Sequence, residues 1–499
     1  MFEKRAKSIA AASLCVFLLL SIRLSYISFY KGASYEAVAY NQQKREILLK
    51  TKRGKIFDRK KIPFTDNKHK KMYLNKNGEI SSKKDDSVYE FDFLLREATS
   101  AKHLIGYTAD DKGVTGIEKE YDNILKDKGN IYLSFMANAA REPVDGFNIY
   151  EENYKDSQGV VLTLDKHIQK ITEEVMKKHI KKGAAVVLDI ESFDVLSMVS
   201  LPDFDSQNID KYTNSNDGEL INRALLGYNA GSVFKIVTAS SALKNNPLIK
   251  DRQFDCRGSF TLDETNVFKC HKEDGHGLLS FNNAFGYSCN CSFFVAGIET
   301  GGTSIIDTAL DFGFGYPLLN ANIGESGGNL PQREEYSNAE TINLSIGQGE
   351  ILITPLQCAV MAATVANGGV RKDTNIVLGI YDKDGNFHTQ KNTKTTQVID
   401  VSIASMLSQM MRECVLYGTG SLASKSKVSI SGKTGSAETG WYENKELLVH
   451  GWFCGFFPSE NPRYAMAILS EGGKSGAESC VEPFVEIAEK INEIYPFKQ

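Results

Sequence analysis

Five strand-like runs in this chain fall into two widely separated groups, and that split constrains the fold more than any other feature. Ala184-Ala-Val-Val-Leu-Asp-Ile190 and Val195-Leu-Ser-Met-Val-Ser200 flank Glu191-Ser-Phe-Asp194, the pattern of a hairpin, whereas the runs at 429–437, 451–457 and 464–470 stand near the other end. Helical spacing precedes the first pair over 165–181, through Ile168, Ile171, Val175 and Met176, and follows the last run over 481–494. Burying all five runs together predicts one antiparallel sheet closed by terminal helices, with the stretch from about 205 to 425 inserted as a mostly helical subdomain. The expected fold class is α+β.

At the N-terminus, Lys4, Arg5 and Lys7 precede an uncharged run over 9–22, then Arg23 and a second apolar stretch to Tyr30. Read as a cleaved signal peptide, the run over 9–22 is the h-region and Ala37-Val-Ala39 has the form of a cleavage site, but that site lies too far downstream. Residues 9–30 reach across roughly 30 Å of hydrocarbon if Arg23 snorkels outward. The expectation is an uncleaved single-pass anchor with a cytoplasmic N-terminus. The next apolar stretch, 351–366, contains Pro355 and Gln357 and reads as a buried helix of a soluble core.

Lys plus Arg is 58 and Asp plus Glu is 62, a net charge of −4 that supplies no field for a polyanion, so nucleic-acid binding is not expected. Residues 51–86 are rich in Lys and read as a solvated surface, short apolar runs return over 91–125, and 148–159 is polar enough for a linker. The expected division is an anchor over 1–30, a second domain over 31–154 and a main domain over 155–499.

Ala230-Gly-Ser-Val-Phe-Lys235 places Ser232 at the start of a helix with Lys235 three residues later on the same face. A serine needs a base to become a nucleophile, and a lysine is that base only when burial or a neighbouring cation lowers its pKa. Ser288-Cys-Asn290 and Lys433-Thr-Gly-Ser-Ala-Glu438 follow in that order. Ser-x-x-Lys, a Ser-x-Asn triplet and Lys-Thr-Gly together form the signature of penicillin-binding proteins and class A β-lactamases. In this reading Ser288 passes a proton to the leaving amine, Asn290 holds the substrate amide, and Lys433 keeps Lys235 uncharged. Thr434, Gly435 and Ser436 form the substrate-binding stretch, along which a peptide adds as an extra strand. The amides of Ser232 and Ser436 form the oxyanion hole.

The sequence resembles the class B penicillin-binding proteins almost end to end. Arg53-Gly-Lys-Ile-Phe-Asp-Arg59, His103-Leu-Ile-Gly-Tyr107 and Gly113-Val-Thr-Gly-Ile-Glu-Lys-Glu-Tyr-Asp122 are similar to that family's N-terminal motifs. Val161-Leu-Thr-Leu-Asp165, Asn222-Arg-Ala224, Ser345-Ile-Gly-Gln-Gly349 with Thr354-Pro-Leu-Gln357, and His450-Gly-Trp-Phe453 resemble further landmarks. Three positions depart from the pattern: Ala230 for a usual proline, Lys60-Lys61 for a common Asn-Gly, and Ser436 for a common threonine.

The resemblance implies a penicillin-binding transpeptidase domain on a pedestal of residues 31–154, in a membrane protein of the bacterial cell surface whose catalytic domain lies outside the cell. It implies a peptidoglycan D,D-transpeptidase that works through a serine acyl-enzyme, is acylated by β-lactams, and depends on a glycosyltransferase of the SEDS type for strand polymerisation. A D,D-carboxypeptidase and a non-catalytic β-lactam receptor are the alternatives.

Cys256, Cys270, His276 and Cys289 have the spacing C-x13-C-x5-H-x12-C, and three thiolates with one imidazole suit a closed tetrahedral zinc site of structural role. The set resembles the zinc site of some elongation-type class B members, with cysteines where Asp residues stand in the first two positions. The alternative is a Cys256–Cys270 disulfide beside a small buried Cys289. His271 is a rival ligand. Cys291, Cys358, Cys414, Cys454 and Cys480 read as core thiols, and Cys15 lies in the span.

Overall fold

The computed structural model describes residues 1–499 except 66–67, 82–83, 85–86, 96–97, 110, 127–128, 153–157, 207, 444–445 and 498–499. Its main elements, in chain order, begin with α1 (Lys166–His179), β1 (Gly183–Asp189) and β2 (Val195–Leu201), then α2 (Lys235–Asn245), α3 (Asn290–Thr300), α4 (Pro355–Ala366) and α5 (Val401–Leu416). They end with β3 (Ser431–Glu443), β4 (Glu446–Phe457), β5 (Tyr464–Gly473) and α6 (Gly476–Ile494). The five strands form the expected sheet in the order β2-β1-β5-β4-β3, with every neighbouring pair antiparallel.

The period of two in these strands divides their side chains between two cores. Ala184, Val186, Leu188, Ala465, Ala467 and Leu469 pack on one face with α2 and α4. Ala185, Val187, Met466 and Ile468 pack on the other with Val175 and Met176 of α1 and Phe484 and Ile487 of α6. Both faces are covered, which is why the strands read as continuous apolar runs. Each buried Val, Leu, Ile, Met or Phe among them stabilises the fold by about 1.5–3 kcal/mol, and each Ala by less.

Local signals place the helices. Asp165 caps α1 by accepting the N–H groups of His167 and Ile168. α4 opens on a capping box between Thr354 and Gln357, with Pro355 at its first turn. The Gln357 amide then donates to the Gly327 carbonyl at 2.8 Å, so this polar residue is satisfied inside an apolar helix.

Three expectations are corrected. The inserted stretch carries several short strand pairs besides its helices, among them Gln253–Cys256 with Gly277–Ser280, and Ser259–Thr261 with Val267–Lys269. The boundary near 155 is not linear. One compact unit comprises 1–53, 69–95 and 127–155, and the other comprises 54–68, 96–126 and 156–499. Residues 54–68 belong with the large unit because Lys55–Phe57 pairs in parallel with Gly159–Leu162, and Ile56, Phe64, Leu104, Ile117 and Leu125 are buried in its core. Finally, 148–152 is strand rather than linker, since Pro143–Glu152 pairs with Asn130–Ala137; 153–157 lies outside the described residues.

In the smaller unit, Asn130–Ala137 alternates so that Ile131, Leu133, Phe135 and Ala137 face a core with Leu74 and Phe91. The Lys-rich stretch folds here as strand over Lys68–Asn75 instead of forming only solvated surface. A helix over Phe2–Gln43, longer than the expected span, is long and apolar enough to cross a membrane.

Candidate active site

The nucleophile candidate sits on a 3-10 turn, Gly231–Phe234, that leads directly into α2. A three-residue repeat eclipses positions i and i+3, which brings Lys235 under Ser232. Gly231 has φ +56°, and a Cβ there would lie 2.7 Å from the Ser436 carbonyl oxygen, so only glycine lets this turn close onto β3. Trp452 on β4 donates from Nε1 to the Asn229 carbonyl at 2.9 Å. Tyr228 donates to Glu471 at 2.6 Å, and Arg223 binds the same carboxylate at 3.0 Å. The Asn222-Arg-Ala and His-Gly-Trp-Phe landmarks therefore brace the approach to Ser232.

Lys235 is the point of convergence. Its Nζ lies 3.2 Å from Ser232 Oγ, 3.2 Å from Ser288 Oγ, 2.7 Å from the Ser288 carbonyl oxygen and 2.6 Å from Asn290 Oδ1. Ser288 adopts φ +56°, uncommon for a side-chain-bearing residue. This strained backbone costs about 1–3 kcal/mol and sits where the serine presents both its carbonyl and its hydroxyl to one amine. Asn290 opens α3, with Cys289 as the preceding cap residue.

Both lysines are fully buried. Burial pushes Lys235 well below its ordinary 10.5, the Lys433 charge pushes it further, and the thiols of Cys289, Cys270 and Cys291 oppose that shift. Burial also lowers Lys433, against Cys414 and Cys454, and its Nζ donates to the Thr434 carbonyl at 2.9 Å. Phe293 and Phe285 lie under the two amines at 5.4 and 5.8 Å. An uncharged Lys235 hydrogen-bonded to a serine hydroxyl has the form of a general base on its nucleophile.

Thr434, Gly435 and Ser436 line a cleft of about 850 Å³ with Ser232, Ser288 and Asn290. A Cβ on Gly435 would meet the Val233 backbone nitrogen at 3.1 Å, so β3 approaches the nucleophile turn closely. Thr434 shares a hydrogen bond with Thr419, and Ser436 Oγ accepts the Gly476 N–H at 3.1 Å. β3 is an edge strand of the sheet.

The four expected metal ligands also meet. The ligand atoms of Cys256, Cys270, His276 and Cys289 all lie within 4.8 Å of one another. Cys256 Sγ and Cys270 Sγ stand 3.5 and 3.6 Å from His276 Nδ1. Cys256 and Cys270 are free thiols, not a disulfide. Burial holds His276 below 6.5, which favours the neutral imidazole a metal needs. The Cys289 and Cys291 thiols hydrogen-bond Cys270 and drive it far below the usual thiol range, while both donors are raised. His271 Nδ1 lies 3.9 Å from Cys270 Sγ and outside the four-residue group.

Sequence reasoning missed several neighbours. Cys291, read as a core thiol, hydrogen-bonds Cys256 and Cys270; its place two residues after Cys289 was the available signal. Phe268, Phe294, Thr419 and Lys474 line the cleft from elements whose positions only the fold reveals, and Glu438, quoted only as the end of a motif, lines it too.

Residues 183–493 match the family described as penicillin binding protein transpeptidase domain. The chain is 25% identical to stage V sporulation protein D of Bacillus subtilis, over 95% of this chain and 82% of that protein. It is 26% identical to the peptidoglycan D,D-transpeptidase MrdA of Acinetobacter baumannii, over 74% of this chain but 58% of that longer protein. A chain of a peptidoglycan synthase complex that coordinates polymerization and crosslinking superposes with a TM-score of 0.70 at 21% identity, covering 97% of this chain and 98% of that one. The family match spans more than half of the chain and contains the whole Ser232, Lys235, Ser288, Asn290 and Lys433 cluster, so the chain belongs to the penicillin-binding protein transpeptidase family.

Proposed function

We propose that this chain is a class B D,D-transpeptidase that cross-links the stem peptides of peptidoglycan through an acyl-enzyme on Ser232. One observation carries the reading: a desolvated Lys235 amine within 3.2 Å of the hydroxyls of both Ser232 and Ser288. Neutral Lys235 takes the Ser232 proton as Oγ attacks the carbonyl of the penultimate D-alanine. The oxyanion rests on the amides of Ser232 and Ser436, a device worth roughly 3–4 kcal/mol per donor. The proton returns through Ser288 to the departing amine, the C–N bond breaks, and terminal D-alanine leaves. An amine of a second stem then attacks the ester, forming the cross-link and restoring Ser232. Asn290 holds the donor's amide, Thr434 receives its terminal carboxylate, and Lys433 keeps Lys235 uncharged. A β-lactam acylates the same hydroxyl.

The cysteine cluster fits a structural zinc. Bonds of about 2.3 Å to sulfur and about 2.0 Å to nitrogen at the tetrahedral angle put the two donors about 3.5 Å apart, in line with 3.5 and 3.6 Å from His276 to Cys256 and Cys270. Cys256, Cys270, His276 and Cys289 would hold it, and it would supply rigidity rather than reactivity. Cys289 stands between Ser288 and Asn290, and Asn290 Nδ2 donates to the carbonyl of Lys269, the residue before Cys270, at 3.4 Å.

The N-terminal helix serves as a single-pass anchor with the N-terminus in the bacterial cytoplasm and the catalytic unit outside. The partner is a SEDS-type glycosyltransferase acting on lipid-linked strands, in keeping with the synthase-complex likeness. Purified protein given paired stem peptides tests the reaction. A cross-linked dimer is expected; release of D-alanine without any dimer overturns transpeptidation in favour of a carboxypeptidase.

A further inference from the structure

β3 carries more than the Lys-Thr-Gly stretch. As an edge strand it offers unpaired backbone groups to an extended peptide, and the position of the nucleophile turn sets that peptide's direction. In the transpeptidase reading Thr434, which lines the cleft near the start of the strand, takes the terminal carboxylate, and Gly231 packs against Ser436 and Ala437 further along. The scissile carbonyl therefore sits near Gly435 and Ser436, and the rest of the donor runs toward Glu438. Ser436 and Glu438 are exposed while Ala437 between them is buried, so both face the cleft. Two strand residues advance about 6.8 Å and one donor residue about 3.4 Å, so Glu438 stands one residue spacing beyond the donor residue that precedes the penultimate one, within reach of a long side chain there.

A cation stands on the far side of the same subsite. Glu438 pairs across the sheet with Val449, and Val449 with Gly473, the residue before Lys474. The Gly476 N–H bond to Ser436 Oγ ties the turn bearing Lys474 to β3. Glu438, Val449 and Lys474 all line the cleft, and two strand spacings of about 4.8 Å separate the rows of the two charges. Among the described residues neither Glu438 nor Lys474 makes an ion pair.

We propose that Glu438 and Lys474 form a specificity subsite for the donor residue preceding the penultimate one, selecting a side chain that ends in both an ammonium and a carboxylate. Donor and acceptor stems are copies of one peptide, so the donor also carries the amine that transpeptidation requires of the acceptor. A lone ammonium meets Glu438 but is opposed by Lys474, whereas an amino-carboxylate end satisfies both, which is discrimination by a repulsive as well as an attractive element. The inference rests on the transpeptidase reading and deepens it.

Three donor peptides ending in D-Ala-D-Ala test it, with norleucine, lysine or diaminopimelate before the penultimate residue and D-alanine release as the readout. The diaminopimelyl donor is expected to exceed the lysyl one in kcat/KM by about fivefold to tenfold. Glu438→Gln should lower the rate on both amine-bearing donors relative to norleucine, and Lys474→Ala should narrow only the gap between diaminopimelate and lysine. Equal rates on all three donors, a lysyl preference, or ratios unchanged in both variants overturn the subsite. Benzylpenicillin, which lacks that residue, separates the failures: if it acylates wild-type Ser232 while the donors are not distinguished, only the subsite falls, and if it does not, the transpeptidase reading falls with it.

Discussion

The lysine pocket and the cysteine cluster are both built around the turn from Ser288 to Asn290, yet they are completed in opposite ways. Lys235 finds four oxygen atoms of its own chain, so its hydrogen bonds close whether or not it carries a proton. The cluster gathers three sulfurs and one imidazole nitrogen, a set whose chemistry suits a bound cation. In the proposed account the first site works uncharged and the second holds a metal ion. One turn thus adjoins both groups of side chains, and each can be perturbed separately.

The largest expected effect is on the nucleophile. Ser232→Ala should lose the penicillin adduct in intact-mass measurements while keeping one bound metal per chain. An adduct of unchanged yield on the variant would place the nucleophile elsewhere. Lys235→Met should slow penicillin acylation by about 10²–10⁴-fold, again without loss of metal. Equal acylation rates would remove the lysine from the base role.

Perturbing the cluster should show the converse pattern. Chelation, or Cys256→Ala, should abolish the metal signal in native mass spectrometry and lower Tm by about 5 °C or more, on a scale of about 2–4 °C per kcal/mol for domains of 150–250 residues. No bound metal in untreated protein, with Tm unaffected by chelator, would contradict the zinc assignment. The smallest effect should come from Cys291→Ser. It should retain one metal and lie within about 1 kcal/mol of wild type in denaturant unfolding, whereas metal loss in this variant would exchange Cys291 for one of the four ligands.

Much of this was legible in the sequence because it depends on spacing. Ser232 and Lys235 are three residues apart, and the strands announce themselves through unbroken apolar runs such as Val186-Val-Leu188, buried on both faces. The interleaved boundary was not legible. Ile56 and Phe64 look like any short apolar pair, and nothing local shows that their partners lie beyond residue 155. Residues 148–152 read as a linker because they are polar, yet they continue a paired strand. Glu438 was visible only as the end of a motif, since its relation to Lys474 depends on register across three strands.

The account centres on an uncharged Lys235, and the pH dependence of penicillin acylation measures it. Burial and Lys433 lower the lysine's pKa in the folded chain, so the active, neutral form accumulates as pH rises through that depressed value. The same shift links to stability: an unfolded Lys235 holds its proton up to about 10.5 and the folded one releases it earlier, so this group's contribution to unfolding free energy rises with pH across that interval. Acylation should therefore reach its plateau well below pH 10.5, and Lys433→Met should move the rise toward alkaline pH by removing the neighbouring charge. A rise centred near pH 10.5 in wild type, unmoved in Lys433→Met, would contradict the account.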